Sequence, residues 1–202
     1  MKNVIYFIIG AVVIVVGFYT FNSGGSSKSY INNINEEREE MEKFMKSDSE
    51  SPFVQAEVEF QNLNFYKPDP KYNVQASLKK IDVPDIMDIK TSDGEDATFE
   101  TYAFLEFSVL GKRMALTALK PVSSPNYNQL FVPFGDLTNG DETYGAGRYL
   151  EIDFKKGSST VMVDFNKAHN PYCAYVPNYS CPLPPPQNRL KVEIKAGEKN
   201  YE

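Results

Sequence analysis

Residues 52–202 predict a mainly β domain, an antiparallel barrel or sandwich. Three observations carry that expectation. Apolar and polar residues alternate with the two-residue period of a half-buried strand, turn-forming segments separate the runs, and no apolar period of helical length interrupts them. In chain order the alternating runs are Glu57–Leu63, Tyr72–Leu78, Ala103–Val109, Met114–Leu119, Arg148–Phe154, Thr160–Phe165 and Leu190–Ile194. Leu110-Gly111-Lys112-Arg113 predicts a hairpin between the third and fourth runs. Residues 155–159 (Lys-Lys-Gly-Ser-Ser) predict a second hairpin, joining Arg148–Phe154 to Thr160–Phe165.

Two elements precede this domain. Val4–Phe21 holds no charged residue and, as a helix, extends about 27 Å, close to the ~30 Å hydrocarbon core of a bilayer. Residues 1–27 are therefore expected to be a transmembrane anchor, with cleavage as a signal peptide after the small residues 22–27 as the alternative. Lys2 precedes the run and the acidic stretch Glu36–Glu42 follows it, so the N-terminus is expected in the cytoplasm and residues 28–202 outside. Residues 28–51 read as a stalk helix and linker. Ile31, Ile34, Met41, Phe44 and Met45 form a thin apolar stripe, fit for a short coiled coil or for packing on the domain. The polar run Ser47–Pro52 ends it.

Composition narrows the function classes. Lys+Arg 21 against Asp+Glu 27 gives a net charge of −6, which argues against a nucleic-acid partner. A single histidine, His169, excludes a three-His zinc site. Asp136 opens a stretch that begins like a calcium loop, but Gly140 and Gly147 stand at its fifth and twelfth positions, where ligands are required. No phosphate-cradling glycine loop, nucleophile elbow or zinc helix is present, and no cofactor is implied.

Residues 131–150 and 164–186 depart from plain strand-and-turn writing. Here the chain resembles the uncharacterised bacterial proteins grouped as DUF1684. The resemblance rests on Pro133, Phe134, Asp136, Thr138, Gly140, Glu142–Tyr144, Gly147–Leu150, Asp164–Asn166, Ala168, Asn170, Pro171, Cys173–Tyr175, Cys181–Pro185, Asn188, Leu190 and Ala196–Glu198. It is strong over 131–198 and looser from about 60 to 130. It implies a shared fold and, with the anchor, a single-pass protein of the bacterial inner membrane with a periplasmic domain. It names no activity.

The residues themselves leave two readings open. In the first, Asp136, Glu142, Tyr144, Arg148, Asp164, Asn166, Asn170 and Tyr175 line a ligand or partner site, with Arg148 gripping an anionic group and the tyrosines as walls. A cell-envelope hydrolase with Asp136 or Glu142 as base is the enzymatic form of it. In the second they are structural: Asp136 and Thr138 bond a turn, and Arg148 pairs with Asp164 across a hairpin. An accessory subunit of a membrane complex, held by the anchor and stalk, fits the second reading. Cys173 and Cys181 are expected to pair as a disulfide outside the cytoplasm, with free thiols, a metal site completed by His169, or a nucleophilic Cys173 beside His169 as alternatives.

Overall fold

The computed structural model describes residues 27–124 and 127–201. The apolar run Val4–Phe21 lies outside these residues, and no helix among them is long and apolar enough to cross a membrane. The chain enters as helix α1 (27–47), makes a single helical turn α2 (Pro52–Gln55), and then forms a seven-stranded antiparallel sheet. The strands are β1 (Asn73–Lys80), β2 (Ile86–Lys90), β3 (Asp96–Val109), β4 (Lys112–Pro121), β5 (Gln129–Phe134), β6 (Arg148–Asp153) and β7 (Thr160–Asp164). They pair in the order β6-β5-β4-β3-β1-β7, with β2 on the early part of β3, and the sheet curls into a nearly closed barrel.

The long strand β3 organises the interior. Ala103, Leu105, Phe107 and Val109 point into the barrel, where they meet Leu116 and Ala118 of β4, Leu130, Val132 and Phe134 of β5, and Val161 and Val163 of β7. The β3–β4 hairpin closes through Leu110 (φ 51°) and Gly111 (φ 74°), the left-handed pair that a two-residue turn requires. At the far end of the ladder from this turn, a bulge between Thr101 and Ala103 shifts the register. An extra residue in one strand exchanges the faces, so Phe99 turns outward with Leu119, Phe131 and Tyr149 into a separate aromatic cluster.

Three expectations are corrected. Residues 155–159 do not close a hairpin ladder: β6 and β7 are the two ends of the strand order, because β7 takes β1 as its partner through Asn73–Ser77. Helix α1 lies over the seam between them, with Tyr30, Asn33, Ile34 and Glu37 facing residues of β6 and β7 around a cavity of about 320 Å³. Glu57–Leu63 forms no ladder; Phe60 and Leu63 instead pack with Met45, Phe53 and Tyr175 in a cluster beneath the helix. Leu190–Ile194 also forms no strand, although Leu190, Val192, Ile194 and Ala196 are buried in strand-like alternation. Its backbone is held by the groups described next.

Candidate functional site

Arg148 begins β6 and its side chain is completely enclosed. Its guanidinium spans what would otherwise be an unpaired edge. Nη1 donates to the carbonyls of Ala196 and Glu198, and Nη2 to the carbonyl of Ile194 (2.9 Å) and to Asp136 Oδ2 (2.8 Å). Residues 194, 196 and 198 follow the period of two, so their carbonyls point the same way and one planar fork collects all three. Asp136 completes the unit: Oδ1 accepts from Thr138 N–H, Thr138 O–H and Ile194 N–H. Arg148 thus pairs with Asp136, not with Asp164 as the structural reading expected, since β6 and β7 share no ladder. The pair has no solvent access on either side chain.

The neighbouring signature residues do similar work. Asn188, fully buried, accepts from Thr117 N–H and donates to the carbonyls of Thr117 and Pro133, bridging β4 and β5 where Pro133 has no N–H to offer. Asp164 accepts from Tyr30 O–H on helix α1 and from Asn166 N–H. Asn166 also donates to Asp69 O, and Asn170 donates to Lys199 O. The carboxylate of Glu198, wholly buried, takes Asn170 N–H and Tyr175 O–H on Oε2 (2.9 and 2.6 Å), and burial pushes its pKa up. Glu142 stands apart on the surface, paired with Lys195 at 2.7 Å. Two glycines are required by this packing. A Cβ on Gly147 (φ 108°) would sit 2.7 Å from Phe134 O, and one on Gly197 (φ 76°) would sit 2.6 Å from Ala168 O.

The expected residues therefore fall into two largely buried groups: the Arg148 knot, with Asp136, Arg148, Asn170 and Tyr175 around chain 194–199, and Asp164 and Asn166 with Tyr30 beside the cavity under α1. Asp136, Arg148, Asp164, Asn166, Asn170 and Tyr175 hold irregular backbone together, and Asp136 and Glu142 do not converge with Arg148 on an open pocket.

An open cavity lies on the outer face of the same sheet. Phe99, Pro121, Tyr127, Phe131 and Tyr149 form its floor, and the segments 169–172 and 179–182 form its opposite wall, around about 400 Å³. Phe131 meets Tyr149 edge-on at 4.9 Å and stacks on Phe99 at 5.4 Å, while Tyr172 and Tyr179 meet edge-on at 5.4 Å. Tyr149 O–H is fixed by the Pro182 carbonyl at 2.6 Å. One charged pair interrupts the mainly apolar lining. His169 Nε2 lies 2.5 Å from Glu151 Oε2, and Nδ1 lies 3.1 Å from the Asn170 carbonyl. Both ring nitrogens face acceptors, the arrangement of an imidazolium. Burial opposes protonation, but the Glu151 carboxylate outweighs it and raises His169 to about 9.

This cleft was largely hidden in the sequence. Tyr149 and Glu151 share a face of β6 by alternation, but Phe99 joins that face only because of the bulge at Thr101/Ala103, and the opposite wall is irregular chain. Tyr144 lies beyond it, its phenol 3.8 Å from Cys173 Sγ and raised to about 12 chiefly by burial. Cys173 and Cys181 are both free thiols, with Cys173 N–H donating to Cys181 Sγ at 3.2 Å, so the expected bridge is not formed here. His169 faces Glu151 instead of the thiols, and among the described residues no group of three or more His, Cys, Asp or Glu side chains is placed to hold a metal ion.

Comparison with known proteins agrees with these residues. The sequence profile described as "Protein of unknown function (DUF1684)" matches residues 58–199. The chain belongs to the DUF1684 family. Its fold is similar to the solution NMR structure of an uncharacterised protein from Haloarcula marismortui, at 32% sequence identity and a TM-score of 0.65, covering 85% of this chain and 95% of that one. No curated protein matches. The DUF1684 profile takes in every signature residue of the Arg148 knot, from Asp136 to Glu198.

Proposed function

We propose that this DUF1684 chain is a binding domain whose outer-face cleft takes a flat, apolar small molecule carrying an uncharged polar end. One observation carries the reading: an aromatic trough of about 400 Å³ with a single internally neutralised ion pair, His169–Glu151, in its lining. Apolar walls with few placed polar groups are the usual constitution of a small-molecule site. The ion pair offers hydrogen bonds without net charge, which disfavours a strongly ionic ligand. In the same proposal, residues 4–21 anchor the chain in a bacterial inner membrane and the domain works outside the cytoplasm. The uncharged run and the Lys2/acidic-stretch asymmetry support this. A protein partner on the cleft rim is the alternative occupant.

A thermal-shift survey of the full chain in detergent tests the cleft. Planar apolar compounds are expected to raise the unfolding temperature of the parent and to leave a Tyr172→Ala/Tyr179→Ala variant unmoved. Equal shifts in both proteins, or none in either, would overturn the reading.

A further inference from the structure

Two thiols meet behind the wall of the cleft, and their surroundings differ. Cys173 sits on the short turn Tyr172–Ala174 and is partly exposed, whereas Cys181 is buried. Cys181 is pinned to the chain that follows β2: its N–H donates to Ser92 Oγ at 3.2 Å, and its carbonyl accepts from Ser92 N–H at 2.9 Å. The Cys173 N–H points at Cys181 Sγ, 3.2 Å away, which brings the ends of the 173–181 segment side by side. Tyr144 O–H lies 3.8 Å from Cys173 Sγ.

The segment between the cysteines is held without any covalent tie. Tyr175 O–H is bonded to Glu198, Val176 is buried in the cluster beneath helix α1, and Ser180 Oγ is bonded to Asp93. Both ends therefore stay in place whether or not a bond joins the sulfurs.

We propose that Cys173 and Cys181 form a thiol–disulfide exchange site, with Cys173 as the attacking thiol, Cys181 as the resolving thiol, and a small-molecule or protein disulfide as co-substrate. The Cys173 thiolate attacks one sulfur of that disulfide and expels the other as a thiolate, leaving a mixed disulfide on Cys173. The Cys181 thiol then gives up its proton and attacks Cys173 Sγ, expelling the second thiolate. The two chain thiols are oxidised to one disulfide, one external disulfide is reduced to two thiols, and the protons pass to the departing thiolates. Hydrogen bonding from Cys181, with that from Tyr144, outweighs burial and holds Cys173 down to about 6. The same contact and burial push Cys181 up, so it waits protonated until Cys173 has reacted. The site shares Cys181 with the wall of the aromatic cleft and does not depend on a ligand there.

The full chain, reduced and then exposed to oxidised glutathione at pH 7, is expected to yield a product two hydrogens lighter that resists iodoacetamide. Cys181→Ser should stop at a stable glutathione adduct on Cys173, and Cys173→Ser should remain unmodified over the same period. Alkylation of Cys173 in the reduced protein should run roughly two- to fivefold faster than that of free cysteine at pH 7, since thiolate fraction rises more than nucleophilicity falls. Equal reactivity of the two single variants, a mixed disulfide that persists in the parent, or no reaction at Cys173 would each overturn the assignment. Circular dichroism of both variants guards against misfolding as the cause.

Discussion

The Arg148 knot and the aromatic cleft occupy two sides of the same strands and solve opposite problems. In the knot, charged and amide side chains are shut away from water and bonded mainly by backbone groups: three carbonyls on one guanidinium, with Asp136 beside them, and two strands on the Asn188 amide. In the cleft, aromatic rings line an opening and the polar groups satisfy each other. Their placement separates signature from site. The polar residues most visible in the sequence stand where a ladder is missing, while the surface suited to a ligand is built of residues that look like ordinary strand and loop.

The contrast breaks first at Arg148. Replacing it with methionine keeps much of the stem but removes every donor, stranding the Asp136 carboxylate and the carbonyls of Ile194, Ala196 and Glu198 in a dry interior. A buried pair broken on one side costs about 3–5 kcal/mol. Denaturant unfolding of Arg148→Met should show a loss of that size, or no folded protein, whereas Tyr179→Ala on the cleft rim should cost less than about 1 kcal/mol. A mild Arg148→Met would mean that water or a shifted backbone replaces the fork.

Gly197 tests the same side more finely. Alanine there must leave the left-handed region or press its Cβ on the Ala168 and Phe165 carbonyls, at 2.6 and 2.7 Å. Strain of about 1–3 kcal/mol is expected from the backbone alone, with the clash added. Gly157→Ala, also at positive φ (88°) but with nothing within 4 Å, separates the two contributions: it should cost only the backbone share. Equal losses at the two positions would deny that chain 194–198 is packed as tightly as described.

The parts of this molecule legible in the sequence are those governed by period. Alternation along Ala103–Val109 and the Leu110-Gly111 turn identify β3, β4 and their hairpin without reference to the rest of the chain. Alternation also marks which residues of 190–196 are buried, but it is silent on the hydrogen-bonding partner. Its first part bonds the backbone of Gly135 and Leu137 just past β5, and from Ile194 onward Asp136 and the Arg148 side chain take over, so the run is strand-like in burial and forms no regular ladder. The neighbour of β7 was misread for a related reason: short connections favour hairpins, yet β1 claims β7 and leaves the seam to helix α1. The cleft was least legible, because its rings come from β3, β5, β6 and two loop segments, and their common face depends on a one-residue bulge.

On the cleft side the ion pair gives a pH signature. His169 is raised from 6.5 to about 9 in the folded protein, against burial, by Glu151. A raised pKa means that the folded state binds the proton more tightly. The stabilisation is complete below pH 6.5 and is lost as pH rises through about 9. Glu151 is a third exposed, so solvent screening holds the effect to about 1–2 kcal/mol. The stability advantage of the parent over Glu151→Gln should shrink across that window; the difference between the two proteins is the readout, because Cys173, held down to about 6, titrates over the same range in both. A Glu151→Gln protein with the same slope would place the titration elsewhere.

Glu198 gives the smallest effect and the sharpest sign. Its carboxyl is fully buried and its pKa is raised from 4.5 by burial, against the hydrogen bonds from Tyr175 and Asn170. For an acid this means that the folded state favours the protonated form. Glu198 contributes stability below pH 4.5, and that contribution disappears as pH rises through the folded value. Glutamine keeps an acceptor for Asn170 N–H and Tyr175 O–H and carries no charge. Glu198→Gln should therefore match or exceed the parent by up to about 1 kcal/mol at pH 7.5, where the parent carboxyl is more often ionised. Its advantage should shrink toward pH 4, as the parent takes up its proton. Chemical denaturation of the two proteins at both pH values reads the difference directly. A variant weaker at pH 7.5 than at pH 4, relative to the parent, would show that the ionised carboxylate is favoured in the knot and that the nearby His169 and Arg38 cations outweigh its burial.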